Sequence, residues 1–421
     1  MNTDLIVIGA GPGGYRSAQL AASLGLKVVV FEEAEAGGTC LNVGCIPTKT
    51  YVHSATFQQA RVRTEQVVAQ LRAGVETILS HPNITLVRER GIFKDARTVS
   101  GYTAPHIIVA TGSETKLQPL PDIDDPRVVD STGLLRMDAL PRKLCIVGAG
   151  VIGMEFASVF RRFGSEVTVV EYLKECLPML DSDIAKRLRK TLEKQGINFK
   201  MNTAVQSISD IDADVILMAT GRKPRVQADF ALAGFDYDER EGIRVDDDMQ
   251  TTVGGIYAIG DVNGRQMLAH AAEAQAKVAV GHIEVVRSSK KYLEGVRSHM
   301  TAPTRSLAPI PAAIFTTPEA ACVGKSEDQL KVEGAAYECR KAFWRANGKA
   351  VAMGETEGML KLLSERGGGR ITGCHAYGAG AAAIVQEASV LMSLGASVRQ
   401  LRAMVHIHPT LSEILLTAAE S

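Results

Sequence analysis

Two cysteines in the segment GTCLNVGCIPTK (residues 38–49) are the side chains of this sequence most suited to chemistry. Cys40 and Cys45 have four residues between them. Such a thiol pair can open and close a disulfide, and so exchange two electrons with a dithiol, a disulfide or a neighbouring redox group. Zinc sites usually combine two ligand pairs. No second pair follows here, so we predict no metal. Two inert structural thiols are the alternative interpretation.

We expect these thiols to lie at the start of a helix. Gly37 and Gly38 indicate a turn into a helix whose first turn holds both cysteines. Unpaired N–H groups and the positive end of the helix dipole favour the thiolate there, which is the form that attacks disulfides. Pro47 is compatible with this helix only near its start or at a kink.

The C-terminal segment VHIHPTLSE (residues 405–413) offers an acid–base pair. It contains His406, His408 and Glu413. A histidine ring that is oriented by a carboxylate can take a proton from a thiol and return it. A histidine on a solvated loop without a function is the alternative, because the sequence alone does not bring this segment near Cys40.

An early glycine-rich turn, GAGPGG, has the setting of a dinucleotide-binding unit. Its three glycines, Gly9, Gly11 and Gly14, allow a tight turn, close approach of the backbone to a pyrophosphate, and close packing of helix on strand. The helix N-terminus favours an anion, and Glu32 is expected to accept hydrogen bonds from a ribose. Strand, turn, helix, strand and acid follow one another at residues 5–8, 9–14, 15–24, 27–31 and Glu32.

The same pattern recurs later in the chain. Its elements are residues 143–147, 148–153, 154–163, 166–170 and Glu171, with glycines Gly148, Gly150 and Gly153. Two copies predict two separate nucleotide sites and argue against a glycine turn without a ligand. Glu171 suits a free ribose 2′-hydroxyl and repels a 2′-phosphate, and Tyr172 and Leu173 offer no arginine for that phosphate. We therefore predict NAD rather than NADP.

Composition excludes several classes of function. Lys+Arg and Asp+Glu number 47 each in 421 residues, so no excess of charge favours a nucleic acid. No apolar run of membrane-spanning length occurs, and a strand-like stretch begins at Leu5, so we expect neither a membrane span nor a leader peptide. An odd number of cysteines, seven, argues against a disulfide framework and fits the reducing cytoplasm. Five cysteines are scattered and expected to be inert: Cys145, Cys176, Cys322, Cys339 and Cys374.

Further stretches predict the rest of the architecture. Helical spacing occurs at residues 51–78 and 380–394, and strand patterns occur at 103–111, 213–220 and 255–261. The Pro- and Asp-rich residues 119–126 mark a boundary, β-like segments begin near residue 308, and the polar stretch 290–309 indicates a linker or surface excursion.

Taken together, these motifs resemble those of the flavin-dependent disulfide reductases over nearly the whole chain, and most closely the dihydrolipoamide dehydrogenase branch. They follow the family's order: GAGPGG, GGTCLNVGCIPTK, ATGS, GAGVIGMEF, ATGRKP, GIYAIGDV, MLAH, TTPEAACVG and HIHPTLSE. The resemblance implies an α/β protein with two Rossmann-like dinucleotide-binding domains and a C-terminal α+β dimerisation domain. The implied domains are an FAD-binding domain (1–117), an NAD-binding domain (118–243), a central domain completing the FAD site (244–307) and an interface domain (308–421).

The resemblance also implies roles for single side chains. Cys45 is the thiol beside the flavin that forms the charge-transfer interaction, and Cys40 is the outer thiol that exchanges with substrate. Lys49 lies near flavin N5 and pairs with Glu155. Asp261 holds the ribityl chain. The implied FAD site comprises Gly9, Gly11, Gly14, Glu32, Thr39, Lys49, Thr111, Gly112, Asp261, Met267, Leu268, Ala269 and His270, and the implied NAD site comprises Gly148, Gly150, Gly153, Glu171 and Gly221.

The implied reaction is the oxidation of dihydrolipoamide to lipoamide by NAD⁺. His408 is the acid–base group, oriented by Glu413, and the His408–Pro409 bond is cis. Because in this family the histidine comes from the other subunit, a homodimer with shared active sites is implied. The macromolecular partner is then the lipoyl domain of a 2-oxo acid dehydrogenase or glycine cleavage complex.

The chain is shorter than typical family members, and the differences are local. Residues after Gln59, those between 93 and 106, and those between 205 and 214 are abbreviated, whereas 287–309 is longer. Trimmed hairpins are expected to leave less of each sheet face covered. None of these gaps removes a residue with an implied catalytic role.

Two other functions remain open. One is a related reductase of another disulfide or of a quinone. A mercuric reductase is disfavoured because no cysteine pair closes the C-terminus, and a glutathione-type reductase is disfavoured by Glu171. The other is a flavoprotein scaffold without catalysis, against which the intact Cys40, Cys45, His408 and Glu413 argue.

Overall fold

The computed structural model describes residues 1–293 and 309–421. Most of the stretch predicted as a polar linker, 290–309, lies outside these residues. The chain forms two compact units. Unit 1 contains Met1–Thr50, Gln58–Lys116 and the described residues from 221 to 293, and unit 2 contains Tyr51–Phe57, Leu117–Thr220 and 309–421. The finer division into four domains stays a prediction.

The secondary structure alternates between strands and helices through most of the described sequence. Its α-helices are α1 (Pro12–Ser23), α2 (Gly38–Val43), α3 (Cys45–Val52), α4 (Phe57–Leu79), α5 (Ser131–Leu135), α6 (Val151–Phe163), α7 (Ser182–Lys194), α8 (Phe230–Ala233), α9 (Ala269–Leu293), α10 (Glu327–Val332), α11 (Gly348–Met353), α12 (Ala381–Ser393), α13 (Val398–Arg402) and α14 (Glu413–Glu420). Among the residues that are described, no helix is long and apolar enough to cross a membrane.

The strands are short, as is usual for parallel sheets and small hairpins. They are β1 (Leu5–Ile8), β2 (Val28–Phe31), β3 (Ile84–Val87), β4 (Thr98–Val99), β5 (Tyr102–Thr103), β6 (His106–Val109), β7 (Ser113–Thr115), β8 (Val128–Val129), β9 (Lys143–Val147), β10 (Glu166–Val170), β11 (Asn198–Lys200), β12 (Val215–Met218), β13 (Arg222–Pro224), β14 (Tyr237–Asp238), β15 (Gly242–Ile243), β16 (Ile256–Ala258), β17 (Ala312–Ile314), β18 (Ala320–Gly324), β19 (Tyr337–Phe343), β20 (Gly358–Glu365) and β21 (Ile371–Gly378).

A five-stranded parallel sheet forms the centre of unit 1, in the order β16-β6-β1-β2-β3. Leu5 pairs with Val28 on one side and with His106 on the other. The strands β1, β2 and β6 are wholly buried, which explains their continuous apolar sequences. Helices α1 and α9 cover one face, where Ala18 and Ala276 belong to the same apolar cluster as Leu5.

Aromatic side chains cover the other face of this sheet. Phe93, Phe230 and Phe235 have ring centroids 5.5 to 5.9 Å apart, and they belong to one buried cluster with Ile6 and Val29. The hairpin between residues 93 and 106, predicted to be short, has only two residues in each of its strands β4 and β5. The aromatic cluster thus covers the sheet face beside the shortened hairpin.

Unit 2 contains a second parallel sheet, in the order β11-β10-β9-β12-β8. The predicted strands at 143–147 and 166–170 are confirmed residue for residue. The abbreviated region before β12 holds one turn of 3-10 helix, Ile208–Asp210. Ile208 packs with Cys145 and Ile216 of the sheet, and Leu120 and Ile123 pack against the same cluster. These two loop regions therefore cover one face of the second parallel sheet.

The C-terminal part of unit 2 is a five-stranded antiparallel sheet, in the order β17-β18-β21-β20-β19. Helices α12, α13 and α14 contribute to the apolar cluster on one of its faces, which includes Leu360, Leu362 and the fully buried Trp344. A Cβ atom at Gly358 or Gly378 would overlap the Trp344 ring. These two glycines therefore allow the indole to lie directly against the sheet.

A buried ionic cluster occupies the other face of the antiparallel sheet. Because side chains alternate along a strand, Lys361 points away from Leu360 and Leu362. Its Nζ donates to Asp181 Oδ1 at 2.7 Å and to Glu327 Oε2 at 2.6 Å, and the residue is 1% exposed. Burial lowers the pKa of Lys361, but the hydrogen bonds and charges of the two carboxylates outweigh it and raise that pKa overall. The ammonium group therefore stays charged inside unit 2.

Removal of this cation is expected to destabilise unit 2 strongly. We expect Lys361→Ala to lower the free energy of unfolding by about 3–5 kcal/mol, because buried carboxylates lose their counter-charge. Urea denaturation followed by the fluorescence of Trp344, the single tryptophan of the sequence, measures this. The matched control is Lys325→Ala, which breaks a surface pair with Glu333 and should cost at most about 1 kcal/mol. Equal effects of the two substitutions would contradict the expectation.

Candidate active site and nucleotide sites

The thiol pair lies at the junction of two helices. Cys40 is in the first turn of α2, and α3 begins at Cys45. Gly44 separates them with φ −136° and ψ −112°, and a Cβ atom there would lie 2.8 Å from the carbonyl oxygen of Thr39. The prediction that both cysteines share the first turn of one helix is therefore wrong, because the chain breaks at Gly44. Pro47 lies in the first turn of α3, as its ring requires.

Contact between the two thiols makes the pair asymmetric. The side-chain hydrogen bond with Cys45, followed by burial, raises the pKa of Cys40 far above its usual value, while the charge of Lys49 acts in the opposite direction. The contact with Cys45 thus favours the protonated form of Cys40 in the reduced pair, whereas the helix start was expected to favour the thiolate. A thiol in this state needs a base before it can act as a nucleophile.

Such a base is present near the C-terminus, in unit 2. His408 Nδ1 lies 2.9 Å from Glu413 Oε1, and the Thr410 N–H donates to Glu413 Oε2 at 2.8 Å. The Thr410 N–H, and then His408, hold the pKa of Glu413 below its usual value. The imidazole is 79% exposed, so with Nδ1 engaged its Nε2 is the nitrogen that can exchange a proton. The predicted pair is brought together, and the His408–Pro409 bond is cis.

The segment before His408 alternates between exposed and buried side chains. Val405 and Ile407 are 99% and 80% exposed, which is typical of a surface that another protein covers. The His406 side chain is 6% exposed, and its Nε2 lies 2.9 Å from Glu387 Oε1 of α12. This second histidine–carboxylate pair was not predicted from the sequence. The alternation of histidines with apolar residues was its only signal, because Glu387 is distant in sequence.

The first glycine turn has the shape of a phosphate cradle. A Cβ atom at Gly9 would overlap the carbonyl of Ala110, and one at Gly14 would overlap the carbonyl of Gly9. A Cβ atom at Gly11, in contrast, would have no neighbouring atom closer than 3.9 Å. Gly11 is also the N-cap of α1, with no side chain bonded to the first turn. The turn therefore leaves space and backbone N–H groups for an anion.

The second glycine turn repeats this geometry in unit 2. A Cβ atom at Gly148 would overlap the carbonyl of Ala219, and one at Gly153 would overlap that of Gly148. Gly150 has no atom within 4 Å and caps α6 without a side-chain bond. Both turns thus fit the pyrophosphate of a dinucleotide at their middle glycine.

The two acids at the ends of the second strands are held in the same way. Glu32 accepts from the Ala10 and Ala34 N–H groups at 2.8 and 2.9 Å. Glu171 accepts from the Ala149 and Leu173 N–H groups at 2.6 and 2.8 Å. Each carboxylate is therefore fixed beside its own glycine turn, where a ribose hydroxyl of a bound dinucleotide would lie.

Asp261 belongs to a hydrogen-bonded group of three side chains, of which the sequence motifs pointed only to Asp261. It accepts from Ser113 Oγ at 2.5 Å, and Arg222 Nε donates to the same hydroxyl at 2.7 Å. Burial raises the pKa of Asp261. Ser113 and Arg222 were missed, although they lie within the ATGS and ATGRKP motifs. The polar triplet matches the chemistry of a ligand rich in hydroxyl groups, such as a ribityl chain.

The remaining predicted residues fall in both units. Gly221 lies in unit 1, and its carbonyl accepts from the Lys116 N–H beside β7. Its predicted role in NAD binding stays a prediction. Lys49 lies in unit 1 and Glu155 in unit 2, where Glu155 is buried and accepts from the Phe315 N–H at 2.9 Å, so their pairing also stays a prediction. Thr39, Thr111, Gly112 and the start of α9 with Met267, Leu268, Ala269 and His270 all lie in unit 1.

Comparison with known proteins identifies relatives along the whole chain. Residues 3–276 match the family described as pyridine nucleotide-disulphide oxidoreductase, and residues 310–419 match its dimerisation domain. The chain is 35% identical over 468 residues to the mitochondrial dihydrolipoyl dehydrogenase of Pisum sativum, covering 99% of this chain and 90% of that protein. It is also 35% identical to the leghemoglobin reductase of Glycine max, covering 99% of this chain and 87% of that protein. Among solved structures, the HOCl-induced flavoprotein disulfide reductase RclA from Escherichia coli has a TM-score of 0.87 at 31% identity, with 99% of both chains covered.

Proposed function

Because the chain belongs to the pyridine nucleotide-disulphide oxidoreductase family, we propose that it oxidises dihydrolipoamide to lipoamide with NAD⁺. Proteins of this family depend on FAD and bind a pyridine nucleotide, and the dimerisation domain indicates a homodimer. The observation that most supports the proposal is the histidine–carboxylate base, with His408 Nδ1 2.9 Å from Glu413 Oε1, in a chain that also carries the Cys40–Cys45 thiol pair. A dithiol substrate needs that same base to lose its protons.

The proposed reaction begins with proton transfer from a substrate thiol to His408 Nε2 of the partner subunit. The resulting thiolate attacks Cys40 of the oxidised pair, so the Cys40–Cys45 bond breaks and Cys45 leaves as a thiolate. The second substrate thiol then attacks the mixed disulfide, which releases the substrate disulfide. His408 returns its first proton to Cys40 and takes the proton of the second thiol. The raised pKa of Cys40 favours this outcome, because the departing sulfur accepts a proton readily.

Two nucleotide groups complete the proposed reaction. FAD, when bound, relays two electrons from the reduced thiol pair to the nicotinamide. Gly11 and Glu32 would hold its adenosine half, and Asp261 its ribityl chain. Gly150 and Glu171 would hold NAD. The lipoyl domain of a 2-oxo acid dehydrogenase or glycine cleavage complex would present the substrate in the cytoplasm.

A substrate panel tests the proposal. The FAD-loaded protein is assayed with lipoamide, glutathione disulfide and a quinone, each with NADH and with NADPH. We expect turnover of lipoamide with NADH. Turnover of glutathione disulfide or the quinone, without turnover of lipoamide, would refute the assignment. That outcome would support a second candidate, a reductase of another disulfide or of a quinone, which is favoured by the similarity to RclA over 99% of both chains.

Nucleotide preference gives a separate prediction at Glu171. The wild-type protein is expected to prefer NADH. Glu171→Gln is expected to lower the ratio of kcat/KM for NADH to kcat/KM for NADPH by about tenfold, because the negative charge that repels a 2′-phosphate is lost. Ferricyanide serves as the electron acceptor, since it does not require the thiol pair. Glu166→Gln, at the exposed start of the same strand β10, is the matched control and should leave the ratio unchanged. A ratio unaffected by Glu171→Gln would remove the carboxylate from nucleotide selection.

A further inference from the structure

Arg72 reaches the thiol segment through a single side chain, that of Asn42. From α4, its Nε and Nη2 donate to Asn42 Oδ1 at 3.0 and 2.8 Å. Its Nη1 lies 3.5 Å from Glu35 Oε2, and the Arg72 side chain is 30% exposed. Two donors of a planar guanidinium on one oxygen fix the orientation of the Asn42 amide as well as its position.

Asn42 in turn fastens the backbone at the start of the thiol segment. It lies between Cys40 and Cys45 in sequence, and its Nδ2 donates to the carbonyls of Glu35, Ala36 and Gly38 at 3.3, 3.1 and 2.9 Å. Glu35 and Ala36 belong to the turn that precedes α2, and Gly38 is the first residue of that helix. An asparagine side chain that bonds several carbonyls holds a local backbone shape that helix formation alone does not fix.

The held turn has a conformation that needs such support. Gly37 and Gly38 have φ angles of 98° and 61°, and glycine loses more conformational freedom on ordering than any other residue. The following helix α2 has only six residues, too few to be stable by its own hydrogen bonds. The placement of Cys40 therefore depends on more than the hydrogen bonds of α2. Asn42, oriented by Arg72, bonds three carbonyls of this turn, and the Gly37 N–H donates to the Ala10 carbonyl at 2.9 Å.

We propose that Arg72 is a positioning residue for the Cys40–Cys45 pair, which acts by orienting Asn42 and thereby fixing α2. The inference uses the proposed function only in treating the two thiols as a redox pair. A disulfide forms only within narrow limits of Cα separation and dihedral angle, so a loosened α2 slows both opening and closing of the bond. Lys49 is the cation that acts on Cys40 by charge, whereas Arg72 acts through the asparagine.

Thiol exchange with an aromatic disulfide tests the role of Arg72. The FAD-loaded protein is reduced with dithiothreitol, freed of reductant, and mixed with 5,5′-dithiobis(2-nitrobenzoate). One protein thiol attacks the reagent and releases the first thionitrobenzoate, and the other thiol displaces the second as the protein disulfide closes. We expect release of the second product to be slower in Arg72→Gln by between about 10-fold and 100-fold, the range for reacting groups displaced by about 1 Å.

Three further variants make the result specific. Asn42→Asp keeps an acceptor for Arg72 but removes the three bonds to carbonyls, so it should slow closure as much as Arg72→Gln. Arg72→Lys keeps the charge but not the planar fork, and should slow closure severalfold. Arg88→Gln breaks a surface ion pair with Glu76, which lies on α4 as Arg72 does. This variant should close the disulfide at the wild-type rate. Reduction of ferricyanide by NADH should be unchanged in all four proteins.

The outcomes separate this inference from the proposed function. Wild-type closure in Arg72→Gln or Arg72→Lys would overturn the positioning role, as would equal slowing in Arg88→Gln. Should Arg72→Gln not fold, Arg72→Lys and Asn42→Asp decide the question. A protein that ignores lipoamide but closes slowly in Arg72→Gln would retain the inference and reject the proposed substrate. A protein that uses lipoamide and closes normally in Arg72→Gln would do the reverse.

Discussion

Cys45→Ser is expected to abolish NAD⁺ reduction by dihydrolipoamide, with a loss of at least about 10⁴-fold, comparable to removal of a catalytic nucleophile. Without Cys45 no internal disulfide forms, so a dithiol substrate has no S–S bond through which to pass its two electrons towards the flavin. Cys40 alone stays a free thiol and offers no disulfide bond for the substrate thiolate to attack. Steady-state formation of NADH with dihydrolipoamide measures the effect.

Two comparisons make the Cys45 result interpretable. Cys339→Ser, on the antiparallel sheet in unit 2, should retain wild-type activity because that thiol has no role in the reaction. NADH oxidation by ferricyanide should survive in Cys45→Ser and show that nucleotide binding is intact. If Cys45→Ser kept more than a few per cent of the dihydrolipoamide activity, the pair would not be the electron acceptor.

His408→Gln is expected to lower kcat for dihydrolipoamide by about 10²–10⁴-fold, the usual contribution of a general base. Glu413→Gln should have a smaller effect, because the ring keeps a hydrogen-bond partner but loses the fixed charge at Nδ1.

A control and a mixing experiment sharpen the His408 prediction. His81→Gln, an exposed histidine after α4, should leave kcat within about twofold, as expected for a surface substitution. If each active site is shared between subunits, mixing Cys45→Ser and His408→Gln subunits should restore activity to about one quarter of wild type, since half of the dimers then contain one complete site. If mixed dimers stay inactive, both groups act within one subunit.

Local patterns predicted the strands, the glycine turns and their acids. A side chain at Gly9 would overlap the carbonyl of Ala110, and one at Gly148 would overlap that of Ala219. Only glycine fits at these positions, so the residue type itself indicates the turn. The His408–Glu413 contact could also be predicted, because the two residues are five positions apart and a helix starts at Glu413. Such features depend on neighbouring residues and backbone preferences, so a single sequence contains them.

Contacts between distant residues were not predictable in this way. The raised pKa of Cys40 depends on the contact with Cys45 across the break at Gly44, which helix patterns did not indicate. Lys361 has its partners in Asp181 and Glu327, and Arg72 has its partner in Asn42. Nothing in the local sequence of a lysine or arginine shows that a distant acceptor lies within reach, because the fold alone brings them together.

The loops that cover the second parallel sheet illustrate the same limit. Leu120, Ile123 and Ile208 pack on one of its faces. These residues are distant in sequence from the strands that they cover. The shortened region was therefore predicted from the sequence, but this packing was not.

The central claim is that a dithiol delivers two electrons to the Cys40–Cys45 pair beside a flavin. Anaerobic titration of the FAD-loaded protein with dihydrolipoamide tests it most directly, with the absorbance spectrum as the readout. One equivalent should produce a long-wavelength charge-transfer band between the Cys45 thiolate and the flavin, absent in Cys45→Ser. Direct bleaching of the flavin without that band, or no spectral change at all, would contradict the account.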